Sequence, residues 1–321
     1  MQPFDPMESV VVREPYASKG ARTVLRGGYS RKAMSLPSCF LCDLKTPSAP
    51  APQRGPWQAR RAFVLAGAAA AAWPAAAQVD VGKASSLRKL VPADQIEQAG
   101  RQQFVQTVQE AKQQNALLPA NHPQTRRLHA IAKRIIPHTA AWNPRARDWR
   151  WEVILIHSDQ INAFCLPGGK IAFYTGILSQ LKLSDDEAAM IMGHEMAHAL
   201  REHARERLAK SSATNLGLRL GAELLGLGNL GSVAADLSAQ LLTLKFSRED
   251  ETEADLVGLE LAARGAFQPQ ASVSLWQKMA AANKGGGPAF LSTHPNGPNR
   301  IRELQANVPK VQALYERARR G

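Results

Sequence analysis

The sequence predicts an α+β fold that is mainly helical and contains one small sheet. Two observations predict it. Apolar residues recur at helical spacing over most of residues 86–321, and only residues 149–175 are rich in β-branched and aromatic types. With 45% hydrophobic and 21% charged residues, the chain has the composition of a globular protein that can bury a core. Disordered, collagen-like and disulfide-scaffold classes are therefore excluded.

The elements follow one another in a simple order. Residues 86–118 and 122–139 predict two amphipathic helices, which we assign to an N-terminal segment, residues 78–145. A strand is expected at 149–156 and a second at 170–175, after the turn Pro167-Gly168-Gly169, so that the small sheet ends in a hairpin. Within the main domain, residues 146–321, helices are then expected at 184–211, 248–264, 270–283 and after Pro298.

The apolar stretch from Leu216 to Leu244 raises the question of a membrane span. Charged residues interrupt it, and glycines such as Gly221, Gly226, Gly228 and Gly231 weaken it as a helix. A buried or lid-forming helical hairpin is therefore the favoured interpretation.

The N-terminal residues resemble a targeting segment rather than a folded domain. Residues 58–77 contain Arg60 and Arg61, then a short apolar run and a stretch of small residues, which is the order of a secretory signal, with a twin-arginine signal as one form. This predicts a periplasmic protein, and the alternative is an uncleaved inner-membrane anchor. Residues 1–57 have no clear periodicity and are expected to be an over-extended start or disordered.

The number and position of the cysteines are consistent with export. Cys39 and Cys42 precede the expected cleavage site, so only Cys165 remains in the mature chain and no intramolecular disulfide can form there. No lipid-anchor cysteine follows the signal.

The positive net charge does not indicate a nucleic-acid partner. The chain has 40 Lys and Arg against 27 Asp and Glu, and residues 1–77 contribute ten of the basic and four of the acidic residues. The remaining charge is scattered and forms no basic stripe interleaved with aromatic residues. Nucleic acid is therefore not expected as a partner.

A metal-binding pattern lies in the middle of the helix that starts after Ser184. Ser184 and Glu187 have the spacing of a capping box, and the helix continues through His194-Glu195-Met196-Ala197-His198. Histidines four residues apart lie on one helix face, so His194 and His198 can bind one metal ion, with Glu195 beside it as general base. The alternative is a solvated charged helix, and His203, five residues past His198, is assigned to that solvated class.

A hydrolytic zinc site keeps three protein ligands, so a third one is needed. The segment SREDETEADLVG, residues 247–258, is rich in acidic residues. Glu251 and Asp255 align with the small residues Gly258 and Ala262, which favours Glu251 as the ligand and Asp255 as the acceptor that orients a ligating imidazole. Glu253 aligns with Glu260 on what is expected to be the wet face. The residues that remain as alternative ligands are Glu249, Asp250 and Glu253.

The order HEMAH, SREDETEADLVG and LSTHPNGPNR, spread over residues 155–302, resembles the gluzincin metallopeptidases of family M48, which includes the CAAX prenyl protease, HtpX, BepA and LoiP. The resemblance implies a zincin-type fold and one Zn²⁺ bound by His194, His198 and Glu251. It also implies Glu195 as the general base and Asp255 as a residue that supports the ligands without binding the metal.

The resemblance draws attention to two further residues. The family's counterparts of His294 and Arg300 lie close to the metal, where they bind substrate or the oxyanion, and in BepA-like members the histidine can occupy the open zinc position as a latch. Without the resemblance, Ser-Thr-His-Pro is a turn with a surface histidine.

The resemblance further implies an edge strand beside the active site, running from Asn162, Ala163 and Phe164 through Tyr174, to which an extended peptide could add. The expected function is a zinc metalloendopeptidase of the bacterial cell envelope that acts on polypeptides such as misfolded proteins, with peripheral association with a membrane or envelope complex. Two alternatives stay open: a latent or non-cleaving zinc-containing quality-control binder, and a membrane-anchored protease.

Overall fold

The structure is a computed structural model, and it describes residues 79–212, 237–238, 240–282, 288–295, 297 and 299–321. The expected signal, the residues before it and most of the apolar stretch 216–244 lie outside these residues, so the predictions made for them remain predictions. Nine α-helices, α1 to α9, are defined in the described part of the chain, and they run as follows: Ala93–Gln113, Pro123–Ile135, Thr175–Gln180, Asp185–Arg201, His203–Ser212, Arg248–Arg264, Ala271–Ala282, Phe290–Thr293 and Arg300–Arg320. The mainly helical α+β prediction is confirmed.

The small sheet has three strands, β1 (Glu152–Ile156), β2 (Ala163–Leu166) and β3 (Lys170–Tyr174). Their order is β1-β3-β2, with β1 parallel and β2 antiparallel to the central strand β3. The predicted edge strand from 162 to 174 is therefore wrong in extent. Gly168 and Gly169, at φ +85° and +76°, reverse the chain, so that β2 lies at an edge and β3 in the centre of the sheet.

The two N-terminal helices are shorter than predicted because prolines interrupt the helical pattern. Residues Ser86–Leu90 form a 3₁₀ turn, and α1 begins only after Pro92. Helix α2 ends at Ile135, and a 3₁₀ turn that contains Pro137 follows it. A proline has no N–H to donate and fixes its own φ, which explains both interruptions.

Helix α4 begins as predicted and ends earlier than predicted. Ser184 Oγ accepts from Glu187 N at 3.2 Å, and Glu187 Oε2 accepts from Ser184 N at 2.9 Å, so the capping box is formed. The helix stops at Arg201 because Glu202 takes a left-handed conformation, at φ +62°. A separate helix, α5, then starts at His203, so the predicted single helix over 184–211 is two helices.

Helix α6 has the predicted bounds and packs directly on α4. An added Cβ at Gly258 would lie 2.5 Å from His194 N, and one at Gly193 would lie 2.7 Å from Gly258 O. The two backbones therefore touch where the metal-binding pattern lies. The predicted wet face of α6 is wrong, however: Glu260 is 1% exposed, and its carboxylate accepts from Val79 N and from Arg264 Nε.

The remaining helices close the core around α4. Helix α6 contacts both α4 and α9, and α7 contacts α4 and α9. One apolar cluster joins the sheet to these helices through side chains such as Leu155, Phe173, Met196 and Trp276. Within the described residues, no helix combines the length and the apolar character that a membrane crossing needs.

Candidate metal centre

Three side chains predicted as ligands meet in the interior between α4 and α6. His194 Nε2 and His198 Nε2 lie 3.1 Å apart. The Glu251 carboxylate lies 3.6 Å from the former, through Oε2, and 3.4 Å from the latter, through Oε1. All three residues are buried. The structure therefore brings together two imidazoles from one helix and a carboxylate from another.

A fourth donor completes this cluster. His294, in the turn after α8, places Nδ1 at 3.0 Å from Glu251 Oε1 and 3.3 Å from His194 Nε2. One donor atom from each of His194, His198, Glu251 and His294 lies within 4.8 Å of all the others. His294 is 3% exposed, so the alternative of a surface histidine is wrong.

The cluster fits a metal ion by distance. Ligand atoms at about 2.0–2.1 Å from a tetrahedral zinc are about 3.3 Å from one another. The separations among the histidine nitrogens and the carboxylate oxygens of the cluster, from 3.0 to 3.6 Å, scatter around that value. The four residues are therefore close enough to bind one metal ion together.

The cluster also fits a metal ion by the chemistry of its nitrogens. His194 Nδ1 lies 3.0 Å from Asp255 Oδ1, and a carboxylate there holds the ring proton on Nδ1. The Nε2 of His194 then presents a lone pair toward the Nε2 of His198. Two ring nitrogens at this separation can both donate their lone pairs to one cation.

Arg300 lies behind the ligands and contacts two carboxylates. Its Nη1 donates to Glu251 Oε2 and its Nη2 to Asp255 Oδ1, each at 2.8 Å. The guanidinium carbon lies 3.3 Å from the centroid of the Trp276 ring. These contacts support a role in orienting and neutralising the two carboxylates, and the predicted contact with an oxyanion stays a prediction.

Glu195 faces the same interior and has a free oxygen. It is 2% exposed, and its Oε1 lies 3.5 Å from His294 Nε2 without a hydrogen bond from any described residue. Burial raises the pKa of Glu195, although the charges of His294 and His194 oppose the shift. A carboxylate with a raised pKa and an unpartnered oxygen can accept a proton and return it.

The electrostatics keep Glu251 and His198 in the protonation states that metal binding needs. Burial alone would raise the pKa of Glu251, but the close contacts with the imidazoles of His198 and His294 hold it well below the usual range. Burial lowers the pKa of His198 to about 3. A deprotonated carboxylate and a neutral imidazole are the forms that bind a metal.

Other acidic residues of α6 that we considered as ligands lie elsewhere. Asp250 forms the capping box with Ser247, and Glu249 is exposed. Glu253 forms an ion pair with Arg201. None of the three belongs to the donor cluster found among the described residues.

The prediction for His203 as a solvated residue is wrong. His203 is 1% exposed, and its Nδ1 lies 2.9 Å from His198 Nδ1. The five-residue spacing places His203 away from His198 only in one continuous helix, whereas α4 ends at Arg201 and the turn at Glu202 brings His203 back toward the centre.

Aromatic side chains that the sequence analysis did not single out enclose the histidines. Phe246 stacks on His198 with ring centroids 3.9 Å apart, and Phe290 stacks on His294 at 4.3 Å. Only their positions next to the acidic segment and the STHP turn could have signalled them. They shield the donors from water and restrict the rotation of both rings.

The residues predicted to bind substrate lie along β2. Asn162 O accepts from Tyr174 N at 3.1 Å, and Asn162 Oδ1 accepts from Ala163 N at 3.0 Å. Phe164 is half-buried. The backbone of Cys165 lies close enough to Glu195 to lower its pKa, so β2 runs next to the carboxylate that faces the centre.

Two histidines one helical turn apart, a carboxylate from a second helix and a free glutamate beside them define the site of an HExxH metallopeptidase. The comparison with protein families agrees: residues 122–308 match the model of Peptidase family M48, so the chain belongs to that family. The match begins within the segment predicted as N-terminal helices.

Individual relatives are also named as metallopeptidases. The chain is 37% identical over 202 residues to "Mitochondrial metalloendopeptidase OMA1" of Schizosaccharomyces pombe, an alignment that covers 62% of this chain and 58% of the relative. It is 40% identical over 171 residues to the protein of that name in Arabidopsis thaliana, an alignment that covers 52% of this chain and 34% of the relative. It is 25% identical over 204 residues to "Metalloprotease LoiP" of Escherichia coli, covering 62% and 77%.

These relatives correct one prediction. Those from yeasts, a plant and mammals are named as mitochondrial enzymes. They contradict the predicted location in the bacterial periplasm and its inner-membrane alternative, and the export signal gains no support from them. The prediction was wrong because it relied on N-terminal composition alone, which does not distinguish the membranes to which a leader is addressed.

Proposed function

We propose that the chain is a zinc-dependent endopeptidase that hydrolyses peptide bonds of polypeptides. The observation that carries the proposal is the convergence of His194, His198 and Glu251, whose nearest donor atoms lie 3.1 to 3.6 Å apart, with Glu195 beside them. Membership of Peptidase family M48 supports it. The chain spans 58% and 62% of the length of the two fungal relatives, so the activity of the whole protein is part of the proposal.

The residues divide the work of hydrolysis between them. His194, His198 and Glu251 would hold the zinc ion, which would supply Lewis acidity to a bound water and to the peptide carbonyl. Glu195 takes the proton of the attacking water on its free oxygen and returns it to the leaving amine. Asp255 and Arg300 hold the ligands in place from behind.

Strand β2 supports binding of substrate as an extended peptide. Asn162 forms a hydrogen-bonded pair with Tyr174, and these pairs alternate along an antiparallel ladder. The N–H and C=O groups of Phe164 therefore point toward β3, and those of Ala163 and Cys165 point away from β3, on the side of β2 that has no neighbouring strand among the described residues. A peptide added along that side contacts the chain through main-chain atoms, which tolerates many sequences and suits unfolded polypeptides. Association with a membrane stays a prediction.

The test is the substitution Glu195→Gln. Glutamine keeps the shape and cannot take up the proton, so we expect casein hydrolysis to fall by at least about 10²-fold, in the range of general-base contributions. Zinc content, measured by mass spectrometry after dialysis, is expected to stay at one ion per chain. Hydrolysis that persists in the variant would refute the assignment of the base.

A latent form of the same enzyme is the second candidate, because His294 occupies the fourth corner of the cluster. In that case the histidine blocks the position where substrate has to enter. The substitution His294→Ala then increases hydrolysis, whereas a direct role of His294 in catalysis predicts a decrease. A chain that binds unfolded casein and cleaves none in either form is a binder rather than a peptidase.

A further inference from the structure

A second histidine contact lies behind the metal centre, on the side of His198 that faces away from the other donors. His198 Nδ1 and His203 Nδ1 are 2.9 Å apart, and the two rings meet at 76°. Both side chains are buried. The contact is therefore a hydrogen bond between ring nitrogens that water does not replace.

Only one of these two nitrogens can carry the proton. Metal binding through Nε2 leaves the ring proton of a neutral His198 on Nδ1. His198 then donates, His203 Nδ1 accepts, and the proton of His203 resides on its own Nε2.

The surroundings of His203 favour this arrangement of protons. Its Nε2 lies 3.4 Å from Glu253 Oε2, a separation at which a carboxylate still attracts an N–H electrostatically. An ion pair with Arg201 holds Glu253 in place, and Arg201 Nη2 is itself anchored on Gly82 O at 3.0 Å. A carboxylate on that side stabilises the tautomer with the proton on Nε2 and disfavours the other.

We infer that His203 is a positioning residue of the metal centre, which accepts the Nδ1 proton of His198 and so directs the Nε2 lone pair of His198 at the metal. Asp255 does the same for His194. The inference rests on the proposed metal binding and extends it, since His203 would act on the metal only through His198.

The backbone at the end of α4 makes this contact possible. In one continuous helix, a residue five positions after His198 would point about 140° away from it, given about 100° per residue. Glu202 at φ +62° ends α4 and starts α5 in a new direction. A non-glycine residue in this region is strained, and the ion pairs of Glu202 with Arg88 and Arg205 help to hold it there.

The test compares two substitutions of His203 in the full chain, with zinc affinity as the readout. His203→Leu keeps the volume and removes the acceptor, whereas His203→Asn places an amide oxygen near the position of Nδ1. We expect the zinc dissociation constant, from competition with a chelator, to rise 10- to 100-fold for the leucine variant. The asparagine variant is expected to stay within about threefold of the wild type. The control is Leu208→Ala, which removes buried packing from the same helix and is expected to lower Tm without changing the zinc affinity.

A second measurement covers the case in which the leucine variant does not fold. Long-range ¹H–¹⁵N spectra of the zinc-loaded wild type report which ring nitrogen of each histidine carries the proton. We expect Nδ1–H for His198 and Nε2–H for His203, and Nδ1–H on His203 would overturn the inference. Equal zinc affinity in wild type and His203→Leu, or a loss in His203→Asn as large as in His203→Leu, would do so as well. If the wild type itself binds no zinc, the proposed function fails instead.

Discussion

The two histidines of α4 at the centre each contact a group on the side away from the other donors, but the two groups differ in kind. His194 contacts the carboxylate of Asp255, whereas His198 contacts the neutral ring of His203. A carboxylate makes an imidazole a stronger donor than a neutral acceptor does. The Nε2 atoms of His194 and His198 therefore differ in basicity. Because no carboxylate of the described residues contacts Nδ1 of His198, burial is the main influence on the pKa of its ring.

This difference predicts a pH dependence for the metal-free protein. The pKa of His198 is about 3 in the folded state against about 6.5 in the unfolded chain, so unfolding takes up a proton between these values. The stabilising contribution of neutral His198 is complete above pH 6.5 and declines as the pH falls toward 3. Its slope approaches about 1.4 kcal/mol per pH unit.

The measurement is urea unfolding in chelator at pH 7 and pH 5 for the wild type and for His198→Gln. Other titrating groups are present in both proteins, so the difference between their pH dependences reports on His198. We expect the wild type to lose more of its unfolding free energy than the variant on acidification. Equal losses would show that His198 is not held neutral by the fold.

At the scale of elements, the centre depends on how closely α4 and α6 approach. Gly193 and Gly258 face each other, and the backbone of α6 lies against His194 N. Because the two helices carry three of the four donors, their separation sets the distance between imidazoles and carboxylate. The small residues are therefore part of the metal site, although they contact no metal.

Gly258→Ala tests this dependence. The new methyl group would lie 2.5 Å from His194 N, so the helices must separate, at a cost of about 1–3 kcal/mol. We expect a lower Tm together with weaker zinc binding in a chelator competition. The matched control is Gly297→Ala, where the added Cβ meets no described atom within 4 Å, and both quantities are expected to stay unchanged.

At the scale of the whole molecule, a bound metal connects segments that are far apart in the sequence. The donors come from α4, from α6 and from the turn after α8, which are separated by 43 to 100 residues. A ligand that binds only the folded state stabilises it by mass action. Binding energy at the centre is therefore expected to hold these helices together.

Zinc removal is expected to lower the thermal stability. At a free zinc concentration 1,000 times the dissociation constant, the stabilisation amounts to about 4 kcal/mol. We expect Tm to fall in EDTA and to recover on addition of excess zinc, by calorimetry. Glu195→Gln keeps all four donors and should show the same shift, whereas a Tm that does not respond to chelator would exclude a metal that contributes to folding.

The sequence by itself determined the helices with strong local signals and the residues that local spacing groups together. Capping boxes at Ser184 and Ser247 set the starts of α4 and α6, and the four-residue spacing placed His194 and His198 on one face, because both features depend only on neighbouring residues. Prolines shortened α1 and α2, where the apolar periodicity was followed too far.

Only the tertiary structure decided which distant side chains meet. It buried Glu260, placed β3 in the centre of the sheet, and set Phe246 and Phe290 against the histidines. It also turned His203 toward His198 through one residue with positive φ, which no periodicity contains. Periodicity describes the direction of a side chain only while the helix continues, and the contacts between helices depend on packing that is not encoded in any single segment.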